Sequence, residues 1–173
     1  MSSARASYSR LRRSATELLV GQNEAPVQLD QILGRLGVEL REMEIAEDIS
    51  GILIRDGKRK FIVVNESHSP ARKRFTIAHE IGHLVLHATQ DVHVDHTLRI
   101  NLRDSQAATG ENVEEVEANA FAANLLMPMD WLREAMDSDW IDLNDDSEVA
   151  RLAGQFEVSP QAMLIRLTTL FGR

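Results

Sequence analysis

The stretch Ser69-Pro70-Ala71-Arg72-Lys73-Arg74-Phe75-Thr76-Ile77-Ala78-His79-Glu80-Ile81-Gly82-His83-Leu84-Val85-Leu86-His87 carries both a helix and a chemistry. Ser69 suits an N-cap and Pro70 the first helical position, so a long helix is predicted over 70–87. On that helix His79 and His83 share a face, with Cβ atoms about 6 Å apart. Two imidazoles so placed can reach one metal ion at about 2.0–2.1 Å. Glu80 stands beside such an ion rather than on it. It can accept a proton from a water whose pKa zinc lowers toward about 7. Gly82 inside a helix costs about 1 kcal/mol relative to alanine, which is tolerable where another backbone has to come close.

A catalytic zinc needs a third protein ligand and one open position. The same segment does not supply a third histidine in the extended pattern: Leu86 stands where that pattern has glycine, and Thr89 where it has histidine. A second polar helix, predicted over about 111–126 and broken by Pro128, offers Glu111, Glu114, Glu115 and Glu117. Glu115 and Asn119 share a face with Ala118 and Ala122, and such small residues let two helices lie close. Glu117 points about 200° away from Glu115 on a helical wheel, so both cannot bind one ion. Glu115 is preferred, ahead of Glu117 and then Glu114. Asn119, one turn on, can accept the free N–H of a ligating imidazole.

Upstream, the apolar period changes from helical to alternating. A helix over about 9–20 and a short one opened by Pro26 and stopped by Gly37 come first. Val38 to Ile45 reads as a half-buried strand. Ile52 to Arg55, Asp56-Gly57 and Lys58 to Val64 read as a hairpin, because Asp-Gly suits a tight turn with positive φ. The expectation is an α+β domain with helices packed on a short antiparallel sheet of about three strands. A substrate peptide would lie along a free edge near 52–64.

Downstream of the histidine helix, residues 88–110 hold few apolar side chains and read as an irregular excursion. Asp91, His93, Asp95 and His96 are expected on its surface, with entry of His93 or His96 into the cleft as an oxyanion-stabilising group the alternative. His87 is expected to cap the helix or to support a ligand. His68 reads as structural, Arg72 and Arg74 as solvated or salt-bridged, and nothing places Tyr8. A short helix over 129–136 precedes an acidic surface segment, 130–148, with eight acids against Arg133. Helices over about 146–156 and 159–170 resemble a helix-turn-helix, with Gln161, Arg166, Thr168 and Thr169 on its second helix. Residues 147–173 carry three basic and two acidic side chains, fewer positive charges than phosphate anchoring needs. The chain therefore divides into 1–136, a domain with N-terminal helices, and 137–173, an acidic linker and C-terminal helices packed on the same domain.

Composition narrows the classes further. The 173 residues suffice for one domain with its own core. Acidic residues outnumber basic ones 27 to 19, a net charge of -8 that argues against indiscriminate nucleic-acid binding. There is no cysteine, which excludes disulfides, thiol catalysis and thiolate metal sites; a metal must be held by His, Asp or Glu. No apolar run reaches the roughly 20 residues of a membrane helix, and the stretch after Arg10, Arg12 and Arg13 makes a poor signal peptide. A cytoplasmic protein with no membrane partner is expected.

Arg72 to Ala78, His79 to His83, Leu86-His87 and the run Glu115-Val116-Glu117-Ala118-Asn119-Ala120-Phe121-Ala122-Ala123-Asn124-Leu125-Leu126-Met127-Pro128 resemble the ImmA/IrrE family of zinc metallopeptidases. The resemblance covers at least 50–130 and, more weakly, Leu152 to Leu170. It implies a zincin-like fold of the gluzincin kind, Zn2+ as cofactor, His79 and His83 as metal ligands and Glu80 as catalytic base. The third ligand is the first glutamate of a Glu-x-x-Ala-Asn pattern, which Glu115 opens. It also implies a zinc endopeptidase that cleaves a cytoplasmic helix-turn-helix repressor or antitoxin. The alternative is a regulatory or toxin-like binding module that sequesters such a partner without cutting it. No counterpart of the additional C-terminal sensor domain found in the family is expected, so any signal input would differ.

Overall fold

The structure, a computed structural model, describes residues 2–87, 91–96, 110–136, 141–143 and 145–172. Helix α1 (Ser2–Leu18) and helix α2 (Leu29–Leu36) lead into strands β1 (Val38–Met43), β2 (Ile49–Asp56) and β3 (Arg59–Asn65). Helix α3 (Pro70–Leu86), strand β4 (Val92–His96) and helices α4 (Gly110–Leu126), α5 (Met129–Ala135), α6 (Asp146–Phe156) and α7 (Pro160–Phe171) follow. The fold is α+β, as expected. No helix among the described residues is long and apolar enough to cross a membrane.

Local sequence explains most boundaries. Gly37 ends α2 at φ +65°, and Gly57 makes the β2–β3 turn at φ +57°, both in the left-handed region that glycine enters without a Cβ clash. Ser69 accepts a hydrogen bond from the Arg72 N–H and Pro70 opens α3, a cap worth about 1 kcal/mol. Pro26, however, does not open α2. The segment before that helix is tied instead by side-chain amides: Gln28 N–H donates to Gln22 Oε1 at 2.7 Å, and Gln28 Nε2 to the Pro26 carbonyl at 2.9 Å.

The sheet corrects the expectation of three antiparallel strands. It has four, in the order β1-β3-β2-β4. β2 and β3 form the expected antiparallel hairpin, but β1 pairs with β3 in parallel, Leu40 opposite Ile62. β2 is antiparallel to both β3 and β4, so the strand on the far side of β3 can run with it once β2 serves as the crossover. β4 lies within the stretch read as irregular. It pairs antiparallel with β2, Leu53 opposite His93 and Gly51 opposite Asp95. The edge near 52–64 is therefore covered on both sides, by β1 and by β4. A bulge at Ser50 separates the Ile49 and Gly51 pairings and re-aims the end of β2.

One face of the sheet packs on α3 through Leu53, Ile62 and Val64, all fully buried beside Ala78 and Ile81. The same core takes in Ile32 of α2, Phe121 and Leu125 of α4, Leu152 and Phe156 of α6 and Met163 and Leu167 of α7. α4 lies against α3 at Gly82. A Cβ there would stand 3.2 Å from Ala118 Cα, 3.3 Å from the Ala118 carbonyl oxygen and 3.1 Å from Phe121 Cδ1. Two of these are backbone atoms and cannot swing aside. Gly82→Ala is expected to destabilise by about 1–3 kcal/mol despite alanine's better helix propensity, read from chemical denaturation. A gain in stability would show that α4 shifts freely.

Candidate metal centre

The centre forms where α3, α4 and β4 meet. His79, Glu80 and His83 lie on the buried part of α3. His79 Nε2 is 3.0 Å from His83 Nε2, one helical turn away. The Glu115 carboxylate, brought in by α4, meets both: Oε2 is 3.3 Å from His79 Nε2 and Oε1 is 3.2 Å from His83 Nε2. Two ring nitrogens and a carboxylate thus face one point. Asn119, one turn beyond Glu115, accepts from His79 Nδ1 at 3.1 Å. That bond fixes the tautomer and leaves the Nε2 lone pair directed at the cluster.

The protonation states suit a cation. Burial, helped by His79 and His93, pushes the His83 imidazole down to about 4 against the pull of Glu115, so it is neutral at pH 7. Burial raises the Glu115 carboxyl, but the three imidazoles that close on it prevail and hold it well below the usual carboxylate range. A neutral imidazole and an ionised carboxylate are the forms that donate to zinc.

Glu80 is different. It is fully buried, and neither carboxylate oxygen has a hydrogen-bond partner. Burial raises its pKa well above the ordinary value, and the Asp95 and Glu115 carboxylates add to the effect. Such a group takes up a proton more readily than one in water, as a general base must. The β2 backbone makes room for it at Gly51, where a Cβ would stand 3.0 Å from Glu80 Oε1 and 2.5 Å from Thr76 Cγ2.

The other candidate residues separate clearly. Glu117 points away from the cluster: its carboxylate lies 3.4 Å from Arg10 Nη2 and 3.9 Å from His87 Nε2. His87 is the C-cap of α3, its backbone N–H bonding the His83 carbonyl. The Arg55 guanidinium also binds the His83 and His87 carbonyls, at 2.9 and 2.7 Å, and so ties β2 to this helix end. Arg72 donates to Ser50 Oγ, and Arg74 reaches the Val27 carbonyl and Glu157, away from the centre. Asp137 and Asp139 of the acidic segment, residues 88–90 and 97–109 of the excursion, and the Glu111 side chain lie outside the described residues.

Two residues expected on the surface belong to the site. β4 alternates, with Val92 and Val94 exposed and His93 and Asp95 turned toward α3. His93 Nε2 is 3.3 Å from Glu115 Oε1, and its ring stacks on His83 with centroids 3.8 Å apart. Asp95 is buried, with its pKa raised by burial. The period-2 pattern Val92-His93-Val94-Asp95 was the available signal. It is weak because the apolar members are the outward ones.

Residues 33–168 match the model of Peptidase_M78, the IrrE N-terminal-like domain. The chain belongs to this family. It is 34% identical over 116 residues to the radiation response metalloprotease IrrE of Deinococcus radiodurans, covering 65% of this chain and 32% of that protein. It is 30% identical over 104 residues to immunity region protein 2 of Bacillus phage phi105, covering 59% of each. The chain thus spans less than two thirds of the length of these relatives. The family is one of metallopeptidases, and the His/Glu cluster is a set of donors that could hold a metal ion.

Proposed function

We propose that this Peptidase_M78 domain is a zinc-dependent endopeptidase. In this reading His79, His83 and Glu115 hold the ion, Glu80 is the general base, and the substrate is a cytoplasmic helix-turn-helix repressor or antitoxin. The observation that carries the reading is the convergence of two imidazole Nε2 atoms and one ionised carboxylate beside a buried, unpartnered glutamate. Two nitrogens and one carboxylate suit zinc among the divalent ions. Bound there, zinc supplies a Lewis acid that polarises the scissile carbonyl and eases deprotonation of water. Glu80 takes the proton of the attacking water and delivers it to the leaving amine nitrogen. Asn119 keeps His79 oriented.

The substrate would add to the sheet as an extended strand. With β2 covered, the open edge among the described residues on this side is β4, next to the site. Origin of one relative in a phage immunity region fits a regulatory target. Incubation with candidate helix-turn-helix regulators from the same genome, with and without chelator, followed by mass spectrometry, tests the function. Chelator-sensitive fragments are expected. A regulator bound tightly but left intact would favour sequestration instead.

The ligand choice has its own check. Glu115→Ala should weaken zinc binding by more than about 100-fold, because it removes a donor and not only a supporting contact. Glu117→Ala, whose carboxylate pairs with Arg10 and His87 and not with the cluster, should bind zinc as the parent does. Full zinc content in purified Glu115→Ala would overturn the assignment.

A further inference from the structure

Three ligands account for a catalytic zinc, yet four donor groups converge. His79, His83, His93 and Glu115 each offer an atom, and these atoms all lie within 4.8 Å of one another. His93 Nε2 approaches the same Glu115 oxygen that His83 meets, at 3.3 Å against 3.2 Å. The strand pairing explains how it gets there. Register with Leu53 turns residue 93 toward α3, and the Arg55 N–H to Asp91 carbonyl bond holds the start of β4.

Two observations raise this above proximity. The first is that His93 Nε2 is buried and only 3.3 Å from Glu115 Oε1, yet the two are not aligned as a well-formed hydrogen bond. Leaving a ring nitrogen unsatisfied is costly, and a lone pair aimed at a shared point instead of at the oxygen accounts for it. The second is spacing. Donors at about 2.0–2.1 Å from one tetrahedral ion stand about 3.3 Å from each other. The contacts are 3.3 Å for His79–Glu115, 3.2 Å for His83–Glu115, 3.3 Å for His93–Glu115 and 3.0 Å for His79–His83, while the stacked His83 and His93 rings, with centroids 3.8 Å apart, have to splay for both to face one ion.

We infer that His93 is a fourth protein donor to the metal, so that the resting centre is a closed set of three imidazoles and one carboxylate. This rests on the assignment of His79, His83 and Glu115 as ligands. A catalytic zinc keeps one position for water or substrate. In this chain His93 fills that position until β4 gives way. β4 is suited to do so: it has five residues and, among the described residues, is held by pairing on its β2 side alone. The other use for a histidine here, a hydrogen bond to the developing oxyanion, would leave the metal's affinity and coordination untouched.

The test uses the full chain, stripped with chelator and reloaded with Zn2+ or Co2+. Zinc affinity is measured by competition with a chromophoric chelator for the parent, His93→Ala and Glu115→Ala. His93→Ala should bind one ion about 10–100-fold more weakly, at the least what loss of a supporting contact costs. The visible bands of its cobalt form should change. Added azide should perturb the cobalt spectrum of His93→Ala and leave the parent's largely unmoved, because only the variant has a vacant position. Long-range 1H–15N spectra of the parent should show three imidazoles shifting on zinc addition. If His93→Ala fails to fold, that count decides alone, since two shifting rings would overturn the inference. Unchanged affinity and cobalt bands in His93→Ala, with metal lost from Glu115→Ala, would also overturn it and point to the oxyanion role. Metal held at parental affinity by Glu115→Ala would instead sink the underlying ligand set.

Discussion

Glu80→Gln should leave a folded, metal-loaded protein whose peptidase activity is lower by about 10²–10⁴-fold, the range that a positioned acid–base group supplies. Glutamine keeps the size and the buried position but cannot take a proton from water. Glu80 is not in the cluster of three imidazoles and Glu115, so zinc affinity should stay within a few-fold of the parent. The same variant makes a second, independent statement about stability. Burial, with Asp95 and Glu115 close by, raises the Glu80 pKa in the fold. A raised pKa means that the fold prefers the protonated acid. The contribution to stability is therefore complete below the unfolded value, about 4.3, and is lost as pH rises toward and through the folded value. Metal-free parent should lose stability from this group as pH rises above about 4.3, and metal-free Glu80→Gln should not. Chemical denaturation of both proteins at several pH values reads the difference, in which titrating groups remote from Glu80 cancel. Proteolysis retained by the pure variant would end the role given to Glu80. Identical pH slopes would show that its carboxyl is solvated in solution.

How far the sequence leads depends on whether a residue's place follows from its own segment. Ser69-Pro70 starts α3 and the four-residue spacing sets His79 and His83 on one face, so that half of the site is local and legible. Glu115 and Asn119 were also accessible, because one helical turn and the small residue Ala118 define the face that α4 must bury. β4 was not. Val92 and Val94 are its only apolar residues, and both face outward. What makes the segment a strand is pairing with β2, a tertiary fact. The parallel placement of β1 is hidden for the same reason: alternation tells which face is buried, not which neighbour is chosen. Arg166 is a mixed case. It stands four residues after Ala162 and three after Met163, both buried, so periodicity is the signal for its inward face. Its acceptors, the Met127 carbonyl and Asn124, come from the end of α4 and leave no mark in the segment that carries Arg166.

Arg166 is also where the largest effect on stability is expected outside the metal centre. Its guanidinium is buried and donates from three nitrogens: Nε to the Met127 carbonyl at 3.1 Å, Nη2 to Asn124 Oδ1 at 2.9 Å and Nη1 to the Tyr8 hydroxyl at 3.0 Å. Asn124 in turn donates to the Ala120 carbonyl, so α7 is pinned to the last turns of α4 and to α1. Arg166→Leu keeps the apolar bulk but leaves the Met127 carbonyl and Asn124 Oδ1 without a donor. Bonds to a charged donor are worth about 1.5–3 kcal/mol each, and relief of the buried charge offsets part of the loss. A net cost of about 3 kcal/mol follows, or a Tm lower by about 6–12 °C in a domain of this size. Tyr8→Phe breaks one bond at a half-open position and should cost about 1 kcal/mol. Because both changes act on one network, the double variant should lose less than the two single losses added together. The helix so anchored is the one that delivers Glu115 and Asn119, and zinc affinity should fall with stability in Arg166→Leu. If that variant melts with the parent, the buried network is not what holds α4 in place, and the approach of Glu115 to the histidine pair is set by the packing of α4 on the core, Ala118 and Phe121 against Gly82 included.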